Sequence, residues 1–290
     1  MILTVINGGI GSQLFQYAAA CQLSKKTGSK ILIDICFFNT KNSQNIYMLD
    51  KALNSKDHVI ISNIWVSRFL RIFFKLIDLL TFGILKYQRI DIKNPHEFKP
   101  FPKVKNYFIN GNPINLSYVD QFMKEFLLKL EDKKKDNNQK TKIGLHVRRG
   151  DYAGATVDVC NKNYFKKAIV EIYKQTRLNP SDVQFLIFCQ EEEWPKKNIF
   201  FEDTEVKYVI GDHASSVGDF KEMCNCDHLI ISNSSYSWWA AQKIMSKKKD
   251  SVIVCPDLWW DKIDINQINI YPKNWLVIET GIKARTYMPE

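Results

Sequence analysis

The sequence predicts an α/β protein of two domains, each built on a parallel sheet with helices on its faces, and three observations carry that prediction. Short apolar runs alternate with helix-length segments, most regularly after residue 141, which is the pattern that βαβ units leave in a chain. The 290 residues exceed one ordinary domain and suffice for two, each able to bury its own core. Ten consecutive positions, Glu131 to Lys140, hold no apolar side chain, so they pack on no core and read as a linker. The expected division is therefore residues 1–130, a linker at 131–141, and residues 142–290.

Taken in order, residues 2–6 read as a strand, 13–26 as a helix and 30–35 as a second strand, a βαβ start. Residues 50–129 read as mostly helical. Within them, positions 64–82 are strongly apolar but carry Arg68, Arg71, Lys75 and Asp78, too many charges for a spanning helix. Spaced by three, four and three, those charges share one helical stripe, and Phe69, Leu70, Ile72, Phe73, Phe74, Leu76 and Ile77 cover the rest. After the linker, strand-like runs at 142–147, 184–189, 206–210, 228–232 and 251–254 alternate with helical segments near 162–175, 191–198, 216–226 and 235–246. Two such halves are expected to face each other across a cleft.

Composition narrows the partners. The formal charge is +10, and residues 1–140 hold 21 Lys/Arg against 11 Asp/Glu while the remainder is balanced at 20 each. A basic half with a basic amphipathic helix suits an anionic membrane surface, though an ordinary core helix reads the same way. No nucleic-acid motif or basic–aromatic platform is found, so nucleic acid is not an expected partner. The opening Met1–Ile6 run is too short for a secretory signal. Seven cysteines, several inside apolar runs, read as reduced thiols of a cytosolic protein. Cys224-Asn225-Cys226 lacks the spacing of a zinc site.

Three constellations carry chemistry. Asn7-Gly8-Gly9-Ile10-Gly11-Ser12-Gln13-Leu14 joins the first strand to the first helix, where glycines let a ligand approach the backbone. With Asp34 after the second strand it is similar to a dinucleotide fingerprint, but Leu14 stands where the third glycine belongs. His146-Val147-Arg148-Arg149-Gly150-Asp151 ends a strand with two guanidiniums, whose planar donor forks match a diphosphate. The alternative is a structural network in which those arginines pair with acids such as Asp151. Ser232-Asn233-Ser234-Ser235-Tyr236-Ser237-Trp238-Trp239 runs from a strand into a helix, serving either as a phosphate-holding turn or as an N-cap before a buried tryptophan pair.

In this order and spacing, Gly9-Ile10-Gly11-Ser12-Gln13-Leu14-Phe15-Gln16-Tyr17-Ala18, His146-Val147-Arg148-Arg149-Gly150-Asp151-Tyr152 and the serine–tryptophan segment resemble the α-1,2-fucosyltransferases, glycosyltransferase family 11, over residues 1 to about 260. The resemblance implies a GT-B-type fold, two Rossmann-like domains facing a central cleft. It implies inverting transfer of fucose from GDP-fucose to the 2-hydroxyl of a galactose-terminated glycan, a lipid-linked surface-glycan precursor, without a metal or other cofactor. By that analogy Arg148 binds the β-phosphate and Arg149 supports it. Ser234 or Ser235 donates to the diphosphate, with Asn233 and Ser237 beside them, and Asp219 contacts the guanine. Gly9, Gly11, Gln13, Tyr152 and Trp238 line the site, and His146 either lines the donor site or is a buried, hydrogen-bonded strand residue.

The residues agree with that chemistry on their own terms. Loss of GDP builds negative charge on the leaving phosphate, which a cation must neutralise. No Asp-x-Asp occurs to hold a divalent ion, and arginine is the natural substitute. A general base on the opposite face assists an inverting transfer, with Asp151 first and Asp158 second among candidates. Ser12 replaces the family's usual Asn, and Cys189-Gln190-Glu191 replaces a Ser-Asp-Asp. The expected placement is cytoplasmic, with peripheral contact at the inner face of the membrane. Rival readings are a related transferase with another donor or linkage, a nicotinamide enzyme, and a non-catalytic GDP- or glycan-binding module.

Overall fold

The computed structural model describes residues 1–39, 46–53, 58–80, 87–92, 106–119, 140–199, 201, 204–211 and 216–285. The expected linker lies outside them except for Lys140 and Thr141. The chain forms two compact units, Met1–Lys129 with Pro289–Glu290, and Leu130–Met288.

In the first unit, β1 (Ile2–Val5), α1 (Ile10–Thr27), β2 (Ile31–Asp34), α2 (Leu49–Leu53), β3 (His58–Ile61), α3 (Ile64–Leu80), β4 (Tyr87–Ile92) and β5 (Asn106–Gly111) follow one another. The strands form one sheet in the order β3-β2-β1-β5-β4, every pair parallel. Leu3 of the central strand therefore sits between Leu32 and Phe108. Helix α1 starts at Ile10, three residues before the expected position, because Gly8 takes a positive φ of 73° and turns the chain straight out of β1. A side chain on Gly8 would meet Ser12 at 3.2 Å.

The helical reading of residues 50–129 holds for α2 and α3 among the described residues but misses β3, β4 and β5, which lie there as well. Two of the three are sheet edges: β3 is only four residues long with Val59 and Ile60 exposed. Helical and strand periods cannot be separated over so few positions.

Helix α3 also departs from expectation. Ser67, Arg71 and Phe74 turn inward, with Phe74 joining Leu3, Ile61 and Phe108 in the core. Ser67 Oγ and Arg71 both donate to the Asp34 Oδ2, Arg71 at 2.6 Å. Arg71 thus does not share a solvent stripe with Arg68. Asp34 is buried and accepts the Cys36 amide at 3.0 Å. It is a structural anchor, which removes the ribose-binding acid that a nicotinamide reading needs.

The second unit runs β6 (Thr141–Val147), α4 (Lys162–Thr176), β7 (Val183–Cys189), α5 (Glu193–Asn198), β8 (Glu205–Ile210), α6 (Ser216–Met223), β9 (His228–Ile230), α7 (Ser235–Lys247), β10 (Ile253–Pro256) and β11 (Leu276–Ile278). The five expected strands are present, and β11 is an addition. All are parallel in the order β11-β10-β9-β6-β7-β8, so the sheet is wound outward in both directions from β6 and β9. Asn161 caps α4 by accepting the amides of Asn163 and Tyr164, and the helix buries Tyr164, Phe165, Ala168, Ile169 and Ile172 against the sheet. Each large side chain removed from water there contributes about 1.5–3 kcal/mol.

Candidate active site

In a doubly wound sheet, ligands bind outside the carboxyl ends of the strands where the winding direction reverses. Here that point lies between β6 and β9, which are hydrogen-bonded neighbours with Leu145 opposite Ile230. The arginine motif follows β6 and the serine motif follows β9, so two segments more than eighty residues apart meet at the reversal. Ser232 joins them: its Oγ donates to the His146 carbonyl at 2.6 Å and accepts the Arg148 amide at 3.2 Å. Tyr164 supports the turn from α4, donating to the Ile231 carbonyl at 2.6 Å.

The two arginines differ in what holds them. Arg149 is clamped, donating to both carboxylate oxygens of Asp158 at 3.0 and 2.8 Å, with its guanidinium 4.7 Å from the centre of the Trp194 ring. Asp158 also accepts the Gly154 amide at 3.0 Å. Arg148 lies over the Tyr152 ring at 5.0 Å and pairs at 2.6 Å with Asp151, whose side chain is 65% exposed. An exposed pair of this kind is worth little, about 0–1 kcal/mol, so an incoming anion can take over the guanidinium. The structural-network reading therefore fits Arg149, and the ligand reading fits Arg148.

Gly150 follows them directly, with φ of 34°. A Cβ there would fall 1.9 Å from Gln190 Oε1, the movable end of a side chain past β7, so it is chiefly the positive φ that favours glycine at position 150. Gln190, which sequence reasoning set aside as a departure, therefore packs against the arginine loop. Trp194 was also missed, because a tryptophan in a short helix carries no mark of the arginine it stacks on.

His146 is buried at the end of β6, its Nδ1 2.9 Å from Ser237 Oγ and its ring against Tyr236. Burial, reinforced by the positive charge of Arg148, holds its pKa down to about 3, so the imidazole is neutral at ordinary pH. Tyr236 in turn meets Phe220 edge-on. Asp219, in the first turn of α6, lies with its carboxylate 2.9 Å from where a Gly211 Cβ would stand. Burial and the nearby Asp219 charge both raise the Tyr236 pKa. Asp219 is thus placed at the ends of β8 and α6, beside the aromatic ring that flanks His146.

The serine motif divides likewise. Ser234 is the N-cap of α7, accepting the Tyr236 amide at 3.4 Å, while Ser235 opens the helix and is partly exposed. The free amides and dipole of a helix start attract anions. Asn233 instead turns inward, donating to the Val157 carbonyl and accepting the Cys160 thiol. Ser237 is wholly buried against His146. Trp238, expected to line the site, is a core residue: it is fully buried, donates to the Ile270 carbonyl at 2.8 Å and packs edge-on to Trp239. The helical repeat places it against the sheet when the N-cap faces the ligand end.

The glycine motif occupies the equivalent end of the first unit. Gln13 is buried and fully used, donating to the carbonyls of Gly8 and Ile46 and accepting the Met48 amide, each at 2.9 Å. Gln16 and Asn7 exchange two bonds at 2.9 Å. Gly9 caps α1 and Gly11 is buried within it. Ser12 accepts from Asn112, just past β5, at 3.0 Å. The conspicuous polar residues of this motif thus brace the loop.

Two parallel Rossmann-type sheets, one in each unit, are the architecture of the GT-B class of glycosyltransferases. The model of glycosyl transferase family 11 matches residues 1–279, and the chain belongs to that family. An α-1,2-colitosyltransferase of Escherichia coli is 26% identical, the alignment covering 96% of this chain and 99% of that one. The O-antigen biosynthesis glycosyltransferase WbnK of Escherichia coli is 29% identical over 88% of this chain and 93% of its own. Among solved structures, a family 9 glycosyl transferase of Veillonella parvula shares the fold at a TM-score of 0.50 and 11% identity, covering 99% of this chain and 88% of its own.

Proposed function

We propose that this glycosyltransferase moves fucose from GDP-fucose to the 2-hydroxyl of a terminal galactose, with inversion and without a metal, on a surface-glycan precursor at the cytosolic side of the membrane. The observation that carries the reading is the loosely paired Arg148 at the sheet reversal, beside the start of α7. Arg148 would bind the β-phosphate, assisted by Ser234, Ser235 and the helix amides, and Asp219 would meet the guanine.

As the bond from the anomeric carbon to the phosphate oxygen breaks, its electron pair leaves with GDP and Arg148 stabilises that charge. The acceptor oxygen attacks the opposite face, and its proton passes to Asp151. Arrival of the diphosphate draws Arg148 off Asp151, so the carboxylate becomes available as the leaving group becomes stabilised. Asp158 is a poor base, since Arg149 and Gly154 occupy both of its oxygens.

Incubation with GDP-fucose and lactose in EDTA should yield an α-1,2-fucosylated product. GDP binding without transfer would identify a binding module. The colitosyltransferase relative favours a second reading, in which the donor sugar is colitose, a fucose that lacks its 3-hydroxyl. Parallel reactions with the two GDP-sugars decide between them by kcat/KM.

A further inference from the structure

The anchoring of α3 leaves a face unaccounted for. With Ser67, Arg71 and Phe74 turned to the sheet, the opposite stripe consists of Trp65, Phe69, Ile72 and Leu76 at the i, i+4, i+7, i+11 repeat. These side chains are 71%, 63%, 57% and 47% exposed. Val59 and Ile60 of β3, the edge strand beside it, are exposed as well. Isolated exposed apolar residues are unremarkable, but a continuous stripe with two large aromatics marks a surface that meets something.

We propose that this outer face of α3 lies flat in an anionic lipid bilayer. Charge chooses the occupant. Arg68 flanks the stripe with its guanidinium 5.4 Å from the Trp65 ring centre, and the sequence has a further basic residue, Lys75, one heptad later. All of the excess positive charge of the chain falls within residues 1–140. An aromatic and aliphatic face bordered by basic residues is the pattern of helices that lie in the headgroup region. Among the described residues no helix is long and apolar enough to cross a membrane, and the inward bonds of Ser67 and Arg71 hold α3 to its own sheet. A second copy suits the face less well, because a two-fold contact would bring like-charged Arg68 edges together.

The test needs neither donor nor acceptor, so it stands apart from the proposed transfer reaction. The full chain is sedimented with phosphatidylcholine vesicles with and without phosphatidylglycerol. Binding is expected only with phosphatidylglycerol. Phe69→Ser combined with Ile72→Ser should weaken it at least about tenfold, and Arg68→Gln about fivefold with a shallower salt dependence. Because these side chains are exposed, thermal melting should be unchanged, and that control is run alongside. Binding that is absent or indifferent to the double substitution overturns the proposal. So does a dimer that the double substitution converts to monomer without altering vesicle binding.

Discussion

Arg148 and Arg149 are adjacent in sequence and opposite in circumstance, and substitution should separate them. Arg148→Ala loses an exposed ion pair and a cation–π contact with Tyr152, so the melting temperature should move little while transfer falls at least about a hundredfold. Substantial retained turnover would remove Arg148 from the donor site. Arg149→Ala strips Asp158 of two charged hydrogen bonds in a partly buried setting and should cost about 2 kcal/mol in denaturant unfolding. His146 supplies a pH signature. Its native pKa is held to about 3, below the value of about 6.5 in an unfolded chain. Below pH 6.5 the unfolded state therefore takes up a proton that the native state refuses. Its contribution is present above that pH and is lost toward acid at about 1.4 kcal/mol per unit. Thermal melts between pH 7 and 4 should show the slope, and His146→Gln should flatten it. Gly150→Ala meets Gln190 and a positive φ together, so adding Gln190→Gly should restore only part of the lost activity.

At the scale of elements, α3 shows a buried polar anchor overriding an apolar pattern. Burial would raise the Asp34 pKa, but bonds from Ser67, Arg71 and the Cys36 amide bring it below the usual carboxylate range. Replacing one wide apolar face on the core with Ser67, Arg71 and Phe74 is tolerable only while that carboxylate is charged and satisfied. Asp34→Asn should therefore destabilise by about 2–3 kcal/mol, and Asp34 should contribute to acid unfolding as pH falls through its native pKa. A stability unchanged from wild type by chemical unfolding would show that α3 is held some other way. Helix α7 shows the same rule from the other side: its N-cap fixes its rotation, which sends Trp238 into the core and leaves Ser234 and Ser235 at the ligand end.

Across the whole molecule, the seven cysteines are free and six are buried, with Cys21 partly exposed. Burial pushes the Cys36 thiol up to about 11 and those of Cys160 and Cys189 to about 12. Native protein should expose at most one thiol to an aromatic disulfide reagent, and all seven after denaturation. Rapid native reaction of several would contradict the packing.

The α/β class, five of the six strands of the second unit and the three motifs are legible in the sequence, because long alternating segments and charged residues at strand ends leave signals within a few positions. Strand β3 was illegible because it has only four residues, two of which, Val59 and Ile60, are exposed. Which motif residues are locked inside the fold and which stay open at the strand ends is set by tertiary contacts. Arg148 and Arg149 look alike until Asp158 and Trp194, brought in from other parts of the chain, clamp one of them. The same holds for α3, whose periodicity shows two faces but not which is outward. That choice belongs to Asp34, thirty residues upstream, because a buried carboxylate must have its partners and the helix rotates to supply them.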